Sequence, residues 1–253
     1  MRTLVIGDIH GSAKALKQVL QLSEFDPTKD KLIQLGDVAD GWSQTSECVD
    51  VLLDIQNKAN DFNKPVFIRG NHDVWVYDWF VLGKQPYSWT TKSGQATIDS
   101  YIKSGNIVNE EHLNFWKNQE NWYIDDENRL FIHGGWYYIM GFPEGAEASV
   151  DAGSIAKECH WDRSLFETAK SAHFMRNYDA LAYKSFNALK QFKEVYIGHT
   201  QQSSKKHVNY LNLWNLDSGA GSNGKLTIMD VDTKEYWESD LTKKLHTNEK
   251  GRN

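Results

Sequence analysis

Five short apolar runs in this chain each end on a glycine or on a side chain able to hold a metal ion. They are LVIGDIH (4–10), LIQLGDVAD (32–40), VFIRGNHD (66–73), LFIHGG (130–135) and VYIGHT (195–200). The apolar parts have the length and the β-branched content of buried strands. The residues that follow are Asp8, His10, Asp37, Asn71, His133 and His199. Repetition of one pattern five times predicts a sheet whose strand ends converge on a single centre. The six side chains are oxygen and nitrogen donors, enough for two divalent ions. With no sulfur among them, the set suits manganese, iron or zinc rather than a cysteine-held structural zinc.

Around these tips the first third alternates strand and helix. SAKALKQVLQLSEF carries an apolar stripe at Ala15, Leu16, Val19, Leu20 and Leu22, with Ser12 placed as its N-cap. A second helix is expected around Glu47–Asn60, and strand 66–69 completes a βαβαβ run, hence a parallel sheet with helices on it. Residues 74–127 read as helices at VWVYDWFVL, QATIDSYI and EEHLNFWKNQ, with a loop over 83–94. In that stretch Trp75, Tyr77, Trp79 and Phe80 read as helix core. YIDDENRLFIHGG reads as a hairpin, a further helical region is expected over roughly 163–192, and short strands return from 195, ending in a hairpin at Asp232-Thr233. One domain over 1–241 and a frayed polar tail over 242–253 is the simplest division.

Bulk properties narrow the partners. The 253 residues carry a net charge of −6 and no basic stripe beyond the Lys205-Lys206 pair, which argues against a long nucleic-acid ligand but not against a small phosphorylated one. No apolar run approaches the ~20 residues of a membrane span. Two distant cysteines, Cys48 and Cys159, and no basic-apolar leader before the first strand predict a reducing, cytoplasmic setting.

Two ions about 3.5–4 Å apart deprotonate a bridging water, polarise a phosphoryl oxygen and hold the phosphorus for in-line displacement. The leaving oxygen then needs a proton. His72, beside Asn71, is suited to supply it, with Asp40 to orient the imidazole. Arg69 and Arg163 are candidates for the non-bridging phosphoryl oxygens, because guanidinium forks match them.

GDIHG (7–11), GDVAD (36–40), RGNHD (69–73), HGG (133–135) and GHT (198–200), taken in this order, resemble the calcineurin-like metallophosphoesterases. Within these the chain resembles the phosphoprotein-phosphatase branch, which includes bacterial and phage Ser/Thr phosphatases and diadenosine tetraphosphatases. The resemblance implies an α/β fold, a β-sandwich of mixed sheets flanked by helices with two metals at the strand ends. It implies that Asp8, His10 and Asp37 hold one ion and that Asp37, Asn71, His133 and His199 hold the other, with manganese expected. It further implies that Asp40 and His72 form the acid dyad, and Trp161-Asp162-Arg163 resembles an element that supplies a second phosphate-binding arginine. There are two departures. Gly41-Trp42 stands where the resemblance implies Arg-Gly, so one phosphate clamp is missing and Trp42 falls near the substrate mouth, placed to stack on a base or an aromatic leaving group. Asp73 stands where Glu is usual. The expectation is a phosphomonoesterase acting on a small phosphorylated substrate or a phosphoprotein, Ser/Thr sites included. The alternatives are a dinucleoside polyphosphate or cyclic-nucleotide hydrolase, and a metal-bearing scaffold that binds phosphate without turnover.

Overall fold

In the computed structural model, residues 1–137, 142, 158–175 and 188–252 are described. Among them two mixed five-stranded sheets lie face to face. The first runs β10-β9-β1-β2-β3, built from β1 (Thr3–Ile6), β2 (Lys31–Gln34), β3 (Val66–Phe67), β9 (Thr227–Asp230) and β10 (Tyr236–Glu238). The second runs β4-β5-β6-β8-β7, from β4 (Trp122–Ile124), β5 (Arg129–Ile132), β6 (Glu194–Ile197), β7 (Val208–Tyr210) and β8 (Leu213–Asn215).

Strand alternation produces the layers. Val5, Ile33 and Met229 of the first sheet meet Phe131 and Tyr196 of the second in one cluster between the sheets. Their neighbours Leu4, Ile6, Leu32 and Ile228 point the other way, into a core shared with helices. Leu130, Ile132, Val195 and Ile197 fill the outer core of the second sheet. A period of two thus puts every other apolar residue on an opposite face, and both faces of each central strand are buried.

The expected βαβαβ run is present. β1, β2 and β3 are parallel, joined by α1 (Ala13–Leu22) and α2 (Thr45–Lys58). Ser12 caps α1, its Oγ accepting the Ala15 N–H. α3 (Asn71–Phe80), α5 (Gln95–Ser104) and α6 (Glu110–Lys117) occupy the three stretches expected to be helical, and both expected hairpins, β4-β5 and β9-β10, are antiparallel pairs. In the second sheet β5, β6 and β8 are parallel.

Three expectations change. The 83–94 stretch is not an open loop but a short turn of helix, α4 (Tyr87–Trp89), running into a π-helical turn, with Trp89 fully buried. The run VNYLNLWNLD is two antiparallel strands rather than one, broken at Leu211, whose φ of 60° is left-handed. The tail from 242 does not fray: α8 (Thr242–Leu245) follows the last strand, and residues 246–252 pack back onto the body. The helical region expected over 163–192 is seen as α7 (Ser164–Met175) and a 3-10 turn at Ala188–Gln191, its middle lying outside the described residues. No helix among the described residues is long and apolar enough to cross a membrane.

Candidate metal centre

The carboxyl ends of β1, β2, β3, β5 and β6 bring the predicted ligands into one buried cluster. Asp8, His10, Asp37, Asn71, His133 and His199 are each at most 5% exposed. β1 stops at Ile6, and the chain turns at His10, which has a φ of 50°.

Two groups of potential ligands stand out, His10-Asp37-His72 and Asp37-His133-His199, with Asp37 common to both. His10 Nε2 lies 3.5 Å from Asp37 Oδ2 and 3.9 Å from Asp8 Oδ2. His133 Nε2 lies 3.4 Å from Asp37 Oδ1 and 3.2 Å from Asn71 Oδ1. Apart from the His133–Asn71 hydrogen bond, these spacings leave the polar atoms facing a common space without hydrogen bonds between them.

Four features fit this donor set to cations. Asp37 Oδ2 is buried and has no hydrogen-bond partner, a costly state for a carboxylate oxygen unless a cation takes it. His10 Nδ1 donates to Ala39 O at 2.9 Å and His133 Nδ1 to Leu35 O at 2.7 Å. Each bond fixes the ring through Nδ1 and turns Nε2 into the cluster, the orientation metal-binding imidazoles use. Third, Asp8, Asp37 and Asp217 are all buried together. Burial, and then the nearby Asp217, push the Asp8 carboxyl well above its ordinary range, and burial raises Asp217 too. A positive ion removes that penalty. Fourth, the backbone leaves no room for larger residues: a Cβ on Gly198 would sit 2.0 Å from Asp8 Oδ1, and one on Gly70 2.1 Å from Asp37 Oδ1.

Electrostatics divide the ligands. Burial opposes ionisation of Asp37, but the His133 and His72 charges beside it outweigh burial and hold this carboxyl well below the usual range. Conversely, burial disfavours a charged His133, yet Asp37 pulls it up to about 9. Burial, then the His133 and Arg163 charges, depress His199 to about 2. Its Nε2 donates to Trp161 O at 3.2 Å, leaving Nδ1 as the acceptor.

Beside this cluster, His72 Nδ1 donates to Asp40 Oδ2 at 2.6 Å, and the His72 N–H donates to Asp37 Oδ1 at 2.9 Å. Asp40 is fully buried and saturated. Its Oδ2 also accepts from Trp89 Nε1 (2.8 Å) and Ser93 Oγ (3.2 Å), and its Oδ1 accepts from Thr97 Oγ1 (2.7 Å). The imidazole is therefore locked with Nε2 toward the mouth. Asp73 is a strut. It accepts the N–H groups of Val38 and Ala39 on one oxygen and those of Gly70 and the Gln119 amide on the other, tying the Asp37 loop to the start of α3.

Two predicted side chains lie elsewhere. Arg69 is 3% exposed and donates to Trp116 O and Lys117 O at the end of α6, over the Tyr77 ring. The carbonyls at a helix C-terminus are where the macrodipole favours a cation, and they hold the guanidinium through its NH2 while its buried Nε has no hydrogen-bond partner. Trp42 is fully buried. Its indole donates to Ala220 O and its ring stacks on His246 at 4.7 Å, so neither face is open to a substrate. Arg163 is exposed and close enough to His199 for its charge to be felt there.

Sequence reasoning missed several residues. Trp75, read as helix core, makes an edge contact with His72 (5.0 Å between centroids) and with the exposed Trp161 (5.3 Å). Arg252, in the supposed tail, places NH1 2.8 Å from His10 Nε2 and 3.1 Å from His72 Nε2. Asp217 follows a strand end, two residues beyond β8, which is a signal for its place near the cluster but not for its role.

A family model for calcineurin-like phosphoesterases matches residues 1–200. A symmetrical bis(5'-nucleosyl)-tetraphosphatase of Coxiella burnetii is 31% identical over 74 residues, 29% of this chain and 23% of that protein, so the match spans about a quarter of the relative's length. Two solved structures share the fold: a protein serine/threonine phosphatase from Saccharomyces cerevisiae (TM-score 0.60, 14% identity, 95% of this chain and 80% of that one) and a cold-active protein-tyrosine phosphatase from a psychrophilic Shewanella species (TM-score 0.58, 14% identity, 94% and 80%).

Proposed function

The chain belongs to the calcineurin-like phosphoesterase family, and from that premise we propose that it is a phosphatase cleaving phosphomonoesters, with His72 as general acid. Its general chemistry is metal-dependent phosphoester hydrolysis. Asp8, His10 and Asp37 hold one ion and Asp37, Asn71, His133 and His199 the second. Manganese is the ion we assign, one of the three that a donor set of nitrogen and oxygen alone suits. When bound, the ions activate the attacking water and draw charge from the phosphoryl oxygens.

The chain's own residues do the rest. The observation that carries the reading is the His72-Asp40 pair, held by four hydrogen bonds to one buried carboxylate beside the shared Asp37. An alkoxide leaving group needs a proton as the P–O bond breaks, and His72 Nε2 is aimed at the mouth to give it. A scaffold that only binds phosphate has no use for such a dyad. Arg163, exposed beside His199, takes a non-bridging oxygen.

A second reading, hydrolysis of dinucleoside polyphosphates, is favoured by the Trp75-Trp161 pair at the His72 side of the mouth. The pair offers an aromatic surface to a base, and the curated relative is a tetraphosphatase. Turnover by manganese-loaded protein of p-nitrophenyl phosphate, phosphoserine and phosphotyrosine peptides, diadenosine tetraphosphate and 2′,3′-cyclic nucleotides separates the readings. Monoester preference supports the first and diadenosine tetraphosphate preference the second. A metal-replete protein inert toward all of them refutes both.

A further inference from the structure

The last seven described residues form an arm seated on the mouth of the metal centre. His246 Nε2 is 2.9 Å from Ser12 Oγ, and its ring lies flat on Trp42. Glu249 accepts from the Ser43 backbone N–H and hydroxyl at 2.9 and 3.0 Å. Gly251, with a φ of +68°, rests on the Trp42 indole so closely that a Cβ would lie 2.7 Å from Cζ2. The Arg252 N–H donates to Gly221 O at 2.6 Å. The arm is thus fixed at four successive points by backbone or buried groups.

Its end delivers a guanidinium. Arg252 NH1 reaches His10 Nε2, His72 Nε2 and, at 3.9 Å, Asp37 Oδ2, while the side chain stays 28% exposed. An arginine only donates, so it contacts the same His10 nitrogen that a metal ion would need. An ion and the guanidinium cannot share that atom, and their charges repel. The anchors lie in the backbone and in residues before 252, so the side chain alone must turn. It remains tethered between the ion cluster and the general acid, in the space where a phosphoryl group must sit for His72 to reach its leaving oxygen.

Resting on the phosphatase reading above, we propose that Arg252 is a substrate-binding residue that brings its guanidinium from the C-terminal arm to the non-bridging phosphoryl oxygens. Trp42 is then the seat of the arm rather than a stacking face for substrate. Planar donors matched to phosphoryl oxygens make arginine the side chain suited to this place.

The full chain carrying Arg252→Ala or Arg252→Lys tests this. Manganese affinity by calorimetry should not weaken in the alanine variant, since a competing cation is removed from His10 Nε2. Inorganic phosphate, titrated into manganese-loaded protein, should bind roughly tenfold to a hundredfold more weakly to the alanine variant, the usual worth of a charged hydrogen bond. KM for p-nitrophenyl phosphate should rise similarly while kcat changes less, and lysine should recover part of both. Unchanged phosphate binding and KM overturn the proposal. Tighter manganese binding with faster turnover in Arg252→Ala also overturns it, and marks the arm as a plug that competes with the metal. Phosphate binding is read without turnover, so a wild-type protein inert toward every phosphoester defeats the phosphatase reading while leaving the Arg252 contact to be judged on its own.

Discussion

Replacing Gly70 with alanine is the sharpest probe of how the centre is assembled. Gly70 precedes α3 with an ordinary extended backbone (φ −91°), so alanine brings no conformational strain, only a methyl group. That methyl would lie 2.1 Å from Asp37 Oδ1 and 2.2 Å from Asp37 N. Relaxed contacts begin near ~3.3 Å, so roughly 1 Å must be found. Turning the carboxylate relieves only the first clash. The second is with the backbone, so the Asp37 loop and the start of α3 must separate. Asp73 holds those two segments together, and Asn71 and His133 face Asp37 across the gap. A displacement of about 1 Å in a reacting site costs on the order of 10²-fold in rate. Overpacking costs about 1–3 kcal/mol, or roughly 2–12 °C in Tm for a chain of this size. Metal content after gel filtration, kcat/KM on p-nitrophenyl phosphate and a melting curve read the three effects. Gly83→Ala is the control: its φ is +65° but nothing lies within 4 Å of the added methyl. It should lose about 1–2 kcal/mol from backbone strain and keep both ions. Two ions and normal turnover in Gly70→Ala would refute the clamp described above.

Other substitutions separate roles. His72→Ala should lower kcat by about 10²–10⁴-fold with metal content intact, whereas Asp37→Asn should release metal, as plasma emission analysis of dialysed samples would show; loss of metal from the His72 variant contradicts its assignment as acid. Thr97→Val keeps the shape but strips partners from the buried Asp40 N–H and Oδ1; we expect ~1–3 kcal/mol of destabilisation and a fall in kcat larger than any change in KM, and unaltered kinetics would show that Asp40 needs no such support. His160, whose Nε2 donates to Asn121, is pressed down to about 3, chiefly by burial and then by the His133 charge. Its stabilising contribution is complete above pH 6.5 and is lost as pH falls from 6.5 toward 3, because only the unfolded chain takes up the proton, at up to about 1.4 kcal/mol per pH unit. His160→Gln should flatten that part of the urea-midpoint profile, and an unchanged slope argues against it.

Much of this molecule is legible in its sequence because strand and helix periods are local. The alternation of Leu4, Val5 and Ile6 between two cores and the stripe of α1 need no tertiary information. The ligand cluster is legible for a similar reason: each donor follows directly on a strand end, and parallel strands place their ends together. What could not be read depends on partners far away in the chain. Trp42 looked like a substrate platform because nothing near it in sequence says that His246 and Gly251 will cover it. Arg69 sits beside the Asn71-His72 pair in sequence, yet the carbonyls at the end of α6 claim it. Arg252 was dismissed with a polar tail because low hydropathy alone predicts fraying, whereas this tail is held by specific hydrogen bonds to Ser12, Ser43 and Gly221.

The glycines at the strand tips show where a correct pattern had a different cause. A glycine beside a strand tip commonly supplies a sharp turn. Gly11 does, at φ +69°, but Gly7 is needed for close approach, since a Cβ there would meet Leu216 O at 2.5 Å. Gly198 likewise makes room for Asp8. Left-handed backbone also falls on the candidate site residues: His10 (50°), Asp37 (55°), Asp40 (70°) and His199 (64°). Such conformations cost side-chain-bearing residues of order 1 kcal/mol or more and persist only where surroundings over-determine them. Here the surroundings are identifiable. Asp37 O accepts the N–H groups of Ile9 and His10, Val38 O accepts that of Gly11, and His10 O accepts that of Trp42. Asp73 and Thr97 hold the same loop from the other side. The first two tips therefore stabilise each other's strained backbone, and the strain aims His10 Nε2 and Asp37 Oδ2 into one space. Relaxing either loop would gain local energy and lose the centre.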